Sequence, residues 1–226
     1  MAAIKTARDR ARAELTQEIK DEARRQLGEV GAHGLSLRAV ARELGMVSSA
    51  LYRYFPSRDH LLTALIIDAY NAIGEAVEKA DDTGEDPRSR WQLLWQAARN
   101  WALAHPHEYA LIYGSPIPGY QAPQDTVGPA ARVALALVGV ATSGVLRPAF
   151  TGPPVPEKLQ EQARGLVETI EAELSPADMS RLLIAWTQLF GAINFELFGQ
   201  YVGSADPADA FFMYTCFQMA DFVGLR

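Results

Sequence analysis

Along this chain of 226 residues, apolar positions recur every three or four residues, and the alternation that builds strands is scarce. From Arg8 to Val30, Ala11, Leu15, Ile19, Ala23 and Leu27 return every fourth residue among charges, which predicts a long amphipathic helix. The glycines of "GAHGLS" suit a helix stop and a turn. Ser36 is then placed to cap a short helix carrying Leu37, Val40, Ala41 and Leu44 and stopping at Gly45. After the glycine, Val47, Ala50, Leu51 and Tyr54 repeat the spacing. They predict a second short helix that buries this stripe and turns Ser48, Ser49, Tyr52 and Arg53 outward. Phe55-Pro56 breaks the chain, because a residue before proline avoids the helical region. A longer fourth helix opens at Ser57 and His60 and runs through Leu61, Leu65, Ala69 and Ile73 to near Ala80.

Further on, "DDTGEDP" reads as a solvent loop, and Pro87 starts an aromatic-rich helix that reaches Ala104 and ends at His105-Pro106. A shorter helix, "HEYALIYG", follows. "SPIPGYQAPQDTVGP" and "RPAFTGPPVPEK" read as long loops on either side of a very apolar helix from Val127 to Leu146. Helices from Pro176 to near Val202 and from Pro207 to near Val223 close the chain. The expectation is an all-α fold: a three-helix unit over residues 1–56, a connecting helix over 57–80, and a larger helical domain over 81–226.

Two short helices joined through a glycine turn, the second presenting small polar and aromatic groups, describe a helix-turn-helix. Side chains at the front of the second helix must be small enough to let it enter the major groove. Ser48 and Ser49 are small enough, and their hydroxyls can meet base edges. Tyr52, Arg53 and Tyr54 then flank the helix within reach of phosphates or a base, and Ser36 with its helix N-terminus offers amide donors to another phosphate. On spacing alone, a structural corner of two helices is the alternative. Charge adds to the DNA reading. The first 60 residues hold eleven Lys and Arg against eight Asp and Glu, whereas the rest hold ten against nineteen, within a net charge of -6.

The stretch "GLSLRAVARELGMVSSALYRYFPSRDHLLTALI", Gly34 to Ile66, resembles the DNA-binding domain of the tetracycline-repressor (TetR) family of bacterial transcription regulators. The signature is a small residue, Leu-Tyr, a variable residue, an aromatic and Phe, then a turn into a basic fourth helix; here it stands as "ALYRYFPSRDHLL". The resemblance implies an all-α homodimer whose paired recognition helices read a palindromic operator on double-stranded DNA, usually to repress. It makes Ser48, Ser49 and Arg53 base-facing positions, Tyr52 and Tyr54 phosphate or base contacts, and Ser36, Arg38, Ser57 and Arg58 phosphate anchors. The family often has a hydroxyl where Val47 stands, Gly or Ala where Ser49 stands, and His where Tyr54 stands, so the motif does not spell the operator.

"WALAHPHEYALIYGSP" and "SRLLIAWTQLFGAINFELFGQY" resemble one C-terminal subtype of that family, with a Trp, a His-Pro step and a helix carrying a central Gly. This implies an inducer cavity beside the aromatic helix, and a four-helix dimer interface built from the last two helices. From the residues themselves, Trp91, Trp95, Trp101, Tyr109, Tyr113, Trp186 and Phe195, with polar His105, Gln188 and Asn194, suit an apolar cavity with a few orienting groups or an ordinary packed core. Phe190, Ile193 and Leu197 with Phe211, Phe212, Phe217 and Met219 suit either an interface between two copies or the interior. The alternative function is a constitutive DNA-binding or scaffolding module with a filled C-terminal core.

Other chemistry finds little support. The single Cys216 leaves no disulfide and no cysteine cluster, and His105-Pro-His107-Glu108 reads as a helix break rather than a metal site. No nucleotide-binding, hydrolase or metalloprotease motif occurs, so no enzyme activity and no cofactor are expected. The N-terminal residues mix both signs of charge, unlike a secretory signal, and the apolar run Val133 to Leu146 falls short of the roughly 20 residues that span a bilayer. A cytoplasmic protein without a membrane span is the expectation.

Overall fold

The computed structural model describes residues 6–150 and 152–226, and those residues form α-helices with no strand. The helices are α1 (Ala7–Gly34), α2 (Leu37–Glu43), α3 (Ser48–Leu51), α4 (Arg58–Ala80), α5 (Pro87–Ala104), α6 (Pro106–Tyr113), α7 (Val127–Thr142), α8 (Glu157–Thr169), α9 (Pro176–Leu197) and α10 (Ala208–Val223). The expected all-α class holds. Helix α8 is the element the pattern of the chain did not announce. Its leader "RPAFTGPPVPEK" was expected to be loop throughout, yet Pro156 closes the loop and the helix begins at Glu157. Helices α7 and α9 also stop four or five residues earlier than their apolar runs, at Thr142 and Leu197.

The chain gathers into two compact units, whose bounds differ from the expected division at residues 56 and 80. One comprises the residues up to Tyr70 together with His105–Pro129, and the other comprises Asn71–Ala104 with Ala130–Arg226. The physical reason lies in α6, which packs on α1. The His107 ring lies against Gly28, Glu108 pairs with Arg24 at 3.5 Å, and Leu111 enters the same core as α1 to α4. The loop after α6 follows it, with the Tyr120 and Thr63 hydroxyls 2.9 Å apart.

In the first unit, Ile19, Ala23 and Leu27 of α1 face Val40 and Ala41 of α2, Leu51 of α3, Phe55, and Leu61, Leu62 and Leu65 of α4. Each fully buried leucine contributes on the order of 2 kcal/mol. Gly31, at φ 65, interrupts α1 where its stripe ends, and Ser36 caps α2 by accepting from Ala39 N at 3.5 Å. Helix α2 closes in a left-handed turn at Gly45. There Gly45 N donates to Arg42 O at 3.1 Å and Met46 N to Ala41 O at 2.8 Å, which satisfies the last carbonyls.

In the second unit, α5 buries Trp91, Leu94, Trp95 and Ala98, and its arginines tie it to neighbouring elements. Arg88 pairs with Asp221 of α10, Arg90 with Asp81, and Arg99 with Glu196 of α9 through two short bonds. Asp86 caps α5, accepting from Arg88 N and Ser89 N and from the Ser89 hydroxyl, and these bonds hold its carboxyl below its ordinary range. Residues Gln124–Thr142 have the length and mean hydropathy (1.2) of a marginal membrane span. Arg132 sits within that run, bonded to Glu78 and to the Asn71 carbonyls, and Val133, Leu137 and Val140 bury one stripe of α7 in the core.

Gly224 ends α10 at φ 99, and a methyl group there would overlap the backbone of Arg147 and Pro148, which run alongside. Gly224→Ala is expected to destabilise the protein by about 2 kcal/mol or more, from left-handed strain and overpacking together. Urea unfolding checks this, and an unchanged midpoint would contradict the close approach.

Candidate nucleic-acid interface

Helix α3 is a single turn, and Leu51 is the side chain that buries completely and anchors it. Fixing Leu51 inward dictates what faces out: Ser49, Tyr52 and Arg53 are exposed, and Ser48 and Tyr54 are half-buried. Val47 occupies the cap position, 70% exposed and without a side-chain bond to the helix, as its lack of a hydroxyl requires. The front of α3 is therefore small and polar, the shape a major groove admits.

On one flank of α3 lies a cleft of about 470 Å³ lined by Leu35, Ser36, Leu37, Arg38, Tyr52, Pro56, Ser57 and Arg58. All five residues expected to meet phosphate on this flank, Ser36, Arg38, Tyr52, Ser57 and Arg58, converge there. Ser57 accepts from His60 N at 3.3 Å at the start of α4, so the first turns of α2 and α4 both open onto the cleft. Backbone amides at helix starts, hydroxyls and guanidinium groups together form the donor set that seats a phosphate. Arg58 departs from the expectation in one respect: its guanidinium bonds to the chain's own carbonyls at Ala32, His33 and Leu35.

On the other flank stands Arg12 of α1, which lies outside the helix-turn-helix motif. Its guanidinium lies 5.1 Å over the Tyr54 ring and 3.4 Å from the Arg53 carbonyl, which brings a positive charge to the end of α3. Thr16, Gln17 and Lys20 continue the same shallow surface. The available signal was position: Arg12 stands next to Ala11 of the α1 apolar stripe.

The residues expected around a ligand divide between the units. His105 is exposed at the start of α6, Tyr109 is fully buried with its ring 5.2 Å from that of Tyr113, and burial raises both hydroxyls well above their ordinary range; all three belong to the first unit. In the second unit, Trp91 and Trp95 are fully buried with rings 5.7 Å apart, and Trp101 is buried beside them on α5. The indole N–H groups of Trp91, Trp95 and the half-buried Trp186 meet no acceptor among the described residues. Gln188 and Phe195 are exposed, and Asn194 is half-buried. A separate apolar cleft of about 510 Å³ lies between α8 and α9, with Leu159, Leu166, Ile184 and Phe222 in its wall.

Of the residues expected between two copies, Phe190, Ile193 and Phe212 are interior to the second unit, Leu197 is half-buried, and Phe211 and Phe217 are exposed. Other exposed apolar side chains are Ile184 of α9, Phe198 just after it and Tyr214 of α10. Among the described residues no three His, Cys, Asp or Glu side chains gather as a metal site. Burial pushes the Cys216 thiol up to about 12, which makes it a packing residue rather than a nucleophile.

Residues 19–65 match the family "bacterial regulatory proteins, tetR family", and residues 91–217 match the "Tetracyclin repressor-like, C-terminal domain". The HTH-type transcriptional regulators Mb1846 of Mycobacterium bovis and Rv1816 of Mycobacterium tuberculosis are each 42% identical over 203 residues, covering 84% of this chain and 84% of theirs. Among solved structures, the SCO4313 protein is 33% identical with a TM-score of 0.78, covering 95% of this chain and 98% of its own. A protein from Rhodococcus sp. RHA1 is 25% identical with a TM-score of 0.67, covering 93% and 95%.

Arg12→Ala is expected to weaken binding to all duplex sequences alike and to lower the slope of log K against log[salt] by about 1, as the loss of one phosphate contact does. Titration of a labelled duplex at several salt concentrations checks it. An unchanged slope would remove Arg12 from the interface.

Proposed function

This chain belongs to the TetR family of DNA-binding transcriptional regulators, and on that premise we propose that it acts as a homodimer on a palindromic operator, repressing until a small hydrophobic or aromatic effector releases it. The observation that carries the reading is the polar front of α3 beside a cleft that gathers Ser36, Arg38, Tyr52 and Ser57. Ser48, Ser49 and Arg53 read bases, Tyr52 and Tyr54 contact phosphate or a flanking base, and the cleft and Arg12 hold the two backbones. Such a regulator works on chromosomal DNA in the cytoplasm.

The dimer reading is supported by the apolar faces that α9 and α10 turn outward. Phe195 and Phe198 with Phe211, Tyr214 and Phe217 are exposed, and exposed apolar side chains that cluster mark an interaction surface. Two such faces related by a two-fold axis make a four-helix interface, and a palindromic operator requires the same symmetry.

The effector reading is supported by the buried N–H groups of Trp91 and Trp95, because buried donors ordinarily find acceptors. Acceptor oxygens of an uncharged aromatic molecule would complement these donors, since the arginines of α5 are all committed to carboxylates. The cleft between α8 and α9 is a second seat, favoured by its volume, which lies in the range that holds drug-sized molecules.

Operator selection from random duplexes tests the first reading. Ser49→Ala and Arg53→Ala are each expected to relax base preference at one position by about 1–3 kcal/mol, and unchanged preference in both would overturn the orientation given to α3. For the dimer, Phe198→Glu is expected to yield monomers in sedimentation and to weaken operator binding; a variant that stays dimeric would remove α9 from the interface. For the effector, tryptophan fluorescence is followed while a panel of planar and apolar compounds is added. A saturable change that also releases DNA supports regulation, Trp95→Phe and Leu166→Trp separate the two seats, and silence across the panel favours a constitutive DNA-binding module.

A further inference from the structure

The geometry points to Arg58 as a positioning residue that locks the helix-turn-helix, not as a phosphate ligand; this inference rests on the DNA-binding reading above. The guanidinium donates from Nε to Leu35 O at 3.1 Å and from Nη2 to Ala32 O at 2.6 Å, with His33 O at 3.4 Å. Nη1 stands 3.9 Å from the Asp59 carboxylate. Most of the fork is thus already committed within the protein, and the nearest opposite charge is the chain's own.

The carbonyls it holds are the ones that need holding. Gly31 kinks α1, so Ala32 and His33 lie in its last turn and Leu35 follows it, where the regular ladder does not supply donors to the carbonyls. Leu35 is followed directly by Ser36, whose hydroxyl caps α2. The fixed planar fork of an arginine can span several carbonyls at once, which a point-charge ammonium cannot. Arg58 thereby ties the first turn of α4 to the segment that aims α2, and so holds apart the two walls of the cleft, Ser36 and Arg38 on one side and Ser57 on the other. Phosphate affinity then depends on Arg58 through the spacing of other donors, with no counterion released at Arg58 itself.

The test uses the full-length protein, a duplex selected by it from random DNA, and an unselected duplex of the same length. Arg58→Lys keeps the charge and loses the fork. It is expected to weaken binding to the selected duplex by about tenfold or more, the scale of hydrogen bonds to a charged group. Its slope of log K against log[salt] is expected to match that of the wild type, whereas Arg12→Ala loses about one unit. Wild-type affinity in Arg58→Lys, or a slope lowered by about one unit in Arg58→Ala, would show a phosphate ligand and overturn the inference. Amide hydrogen exchange gives a readout without DNA. Ala39 N, which donates to Ser36, should exchange faster in Arg58→Lys at unchanged global stability, and unaltered exchange there would also overturn it. Failure of the wild type to bind any duplex at low salt would instead sink the DNA-binding reading, leaving the exchange result to decide on the clamp.

Discussion

A helix of four residues cannot stand by itself, because nucleating a turn costs more than its few hydrogen bonds return. Helix α3 exists because Leu51 is buried against α1, α2 and α4, with Phe55 following it into the same core. The surface proposed to face DNA depends on that burial. Once Leu51 is fixed inward and Gly45 has turned the chain, Ser49 and Arg53 have only the solvent side left to them. The hydroxyls and charges of the interface are thus held by an apolar side chain that never meets a ligand.

The same logic assigns different work to the arginines. Exposed Arg12, Arg38 and Arg53 remain available to an outside anion, whereas Arg58 bonds to backbone carbonyls and Arg88, Arg90 and Arg99 bond to carboxylates. The Arg90–Asp81 and Arg99–Glu196 pairs are the more buried ones, and there removing one partner costs more than the pair itself contributes.

Much of the fold was legible in the residues, and the failures have identifiable causes. Periodicity placed most of the helices, because each buries one stripe of its own sequence. It missed α8, where Leu159, Ala163 and Leu166 are diluted by charges and preceded by a proline-rich run that reads as loop. It overran α7 and α9, because apolar residues continue past the last helical turn into exposed positions such as Val145 and Val202. The motif around Tyr52 named the residues of the cleft, but not that Arg58 would be drawn to Ala32 and Leu35, twenty-odd positions away. Nor did it name Arg12, whose role depends on where α1 crosses the end of α3.

What the residues determined by themselves is local: the helical class, the glycine-hinged pair near the N-terminus, and the small polar front of its second member. These follow from spacing and backbone restriction within a few neighbouring positions. Tertiary structure decided the rest. It returned α6 to the first unit through Leu111 and the Arg24–Glu108 pair, it put Phe190, Ile193 and Phe212 in the interior while Phe195, Phe198 and Tyr214 face outward, and it drew the Arg58 guanidinium to the carbonyls of Ala32 and Leu35. Each of those outcomes depends on contacts between residues distant in the chain, and the order of residues does not encode how such faces meet.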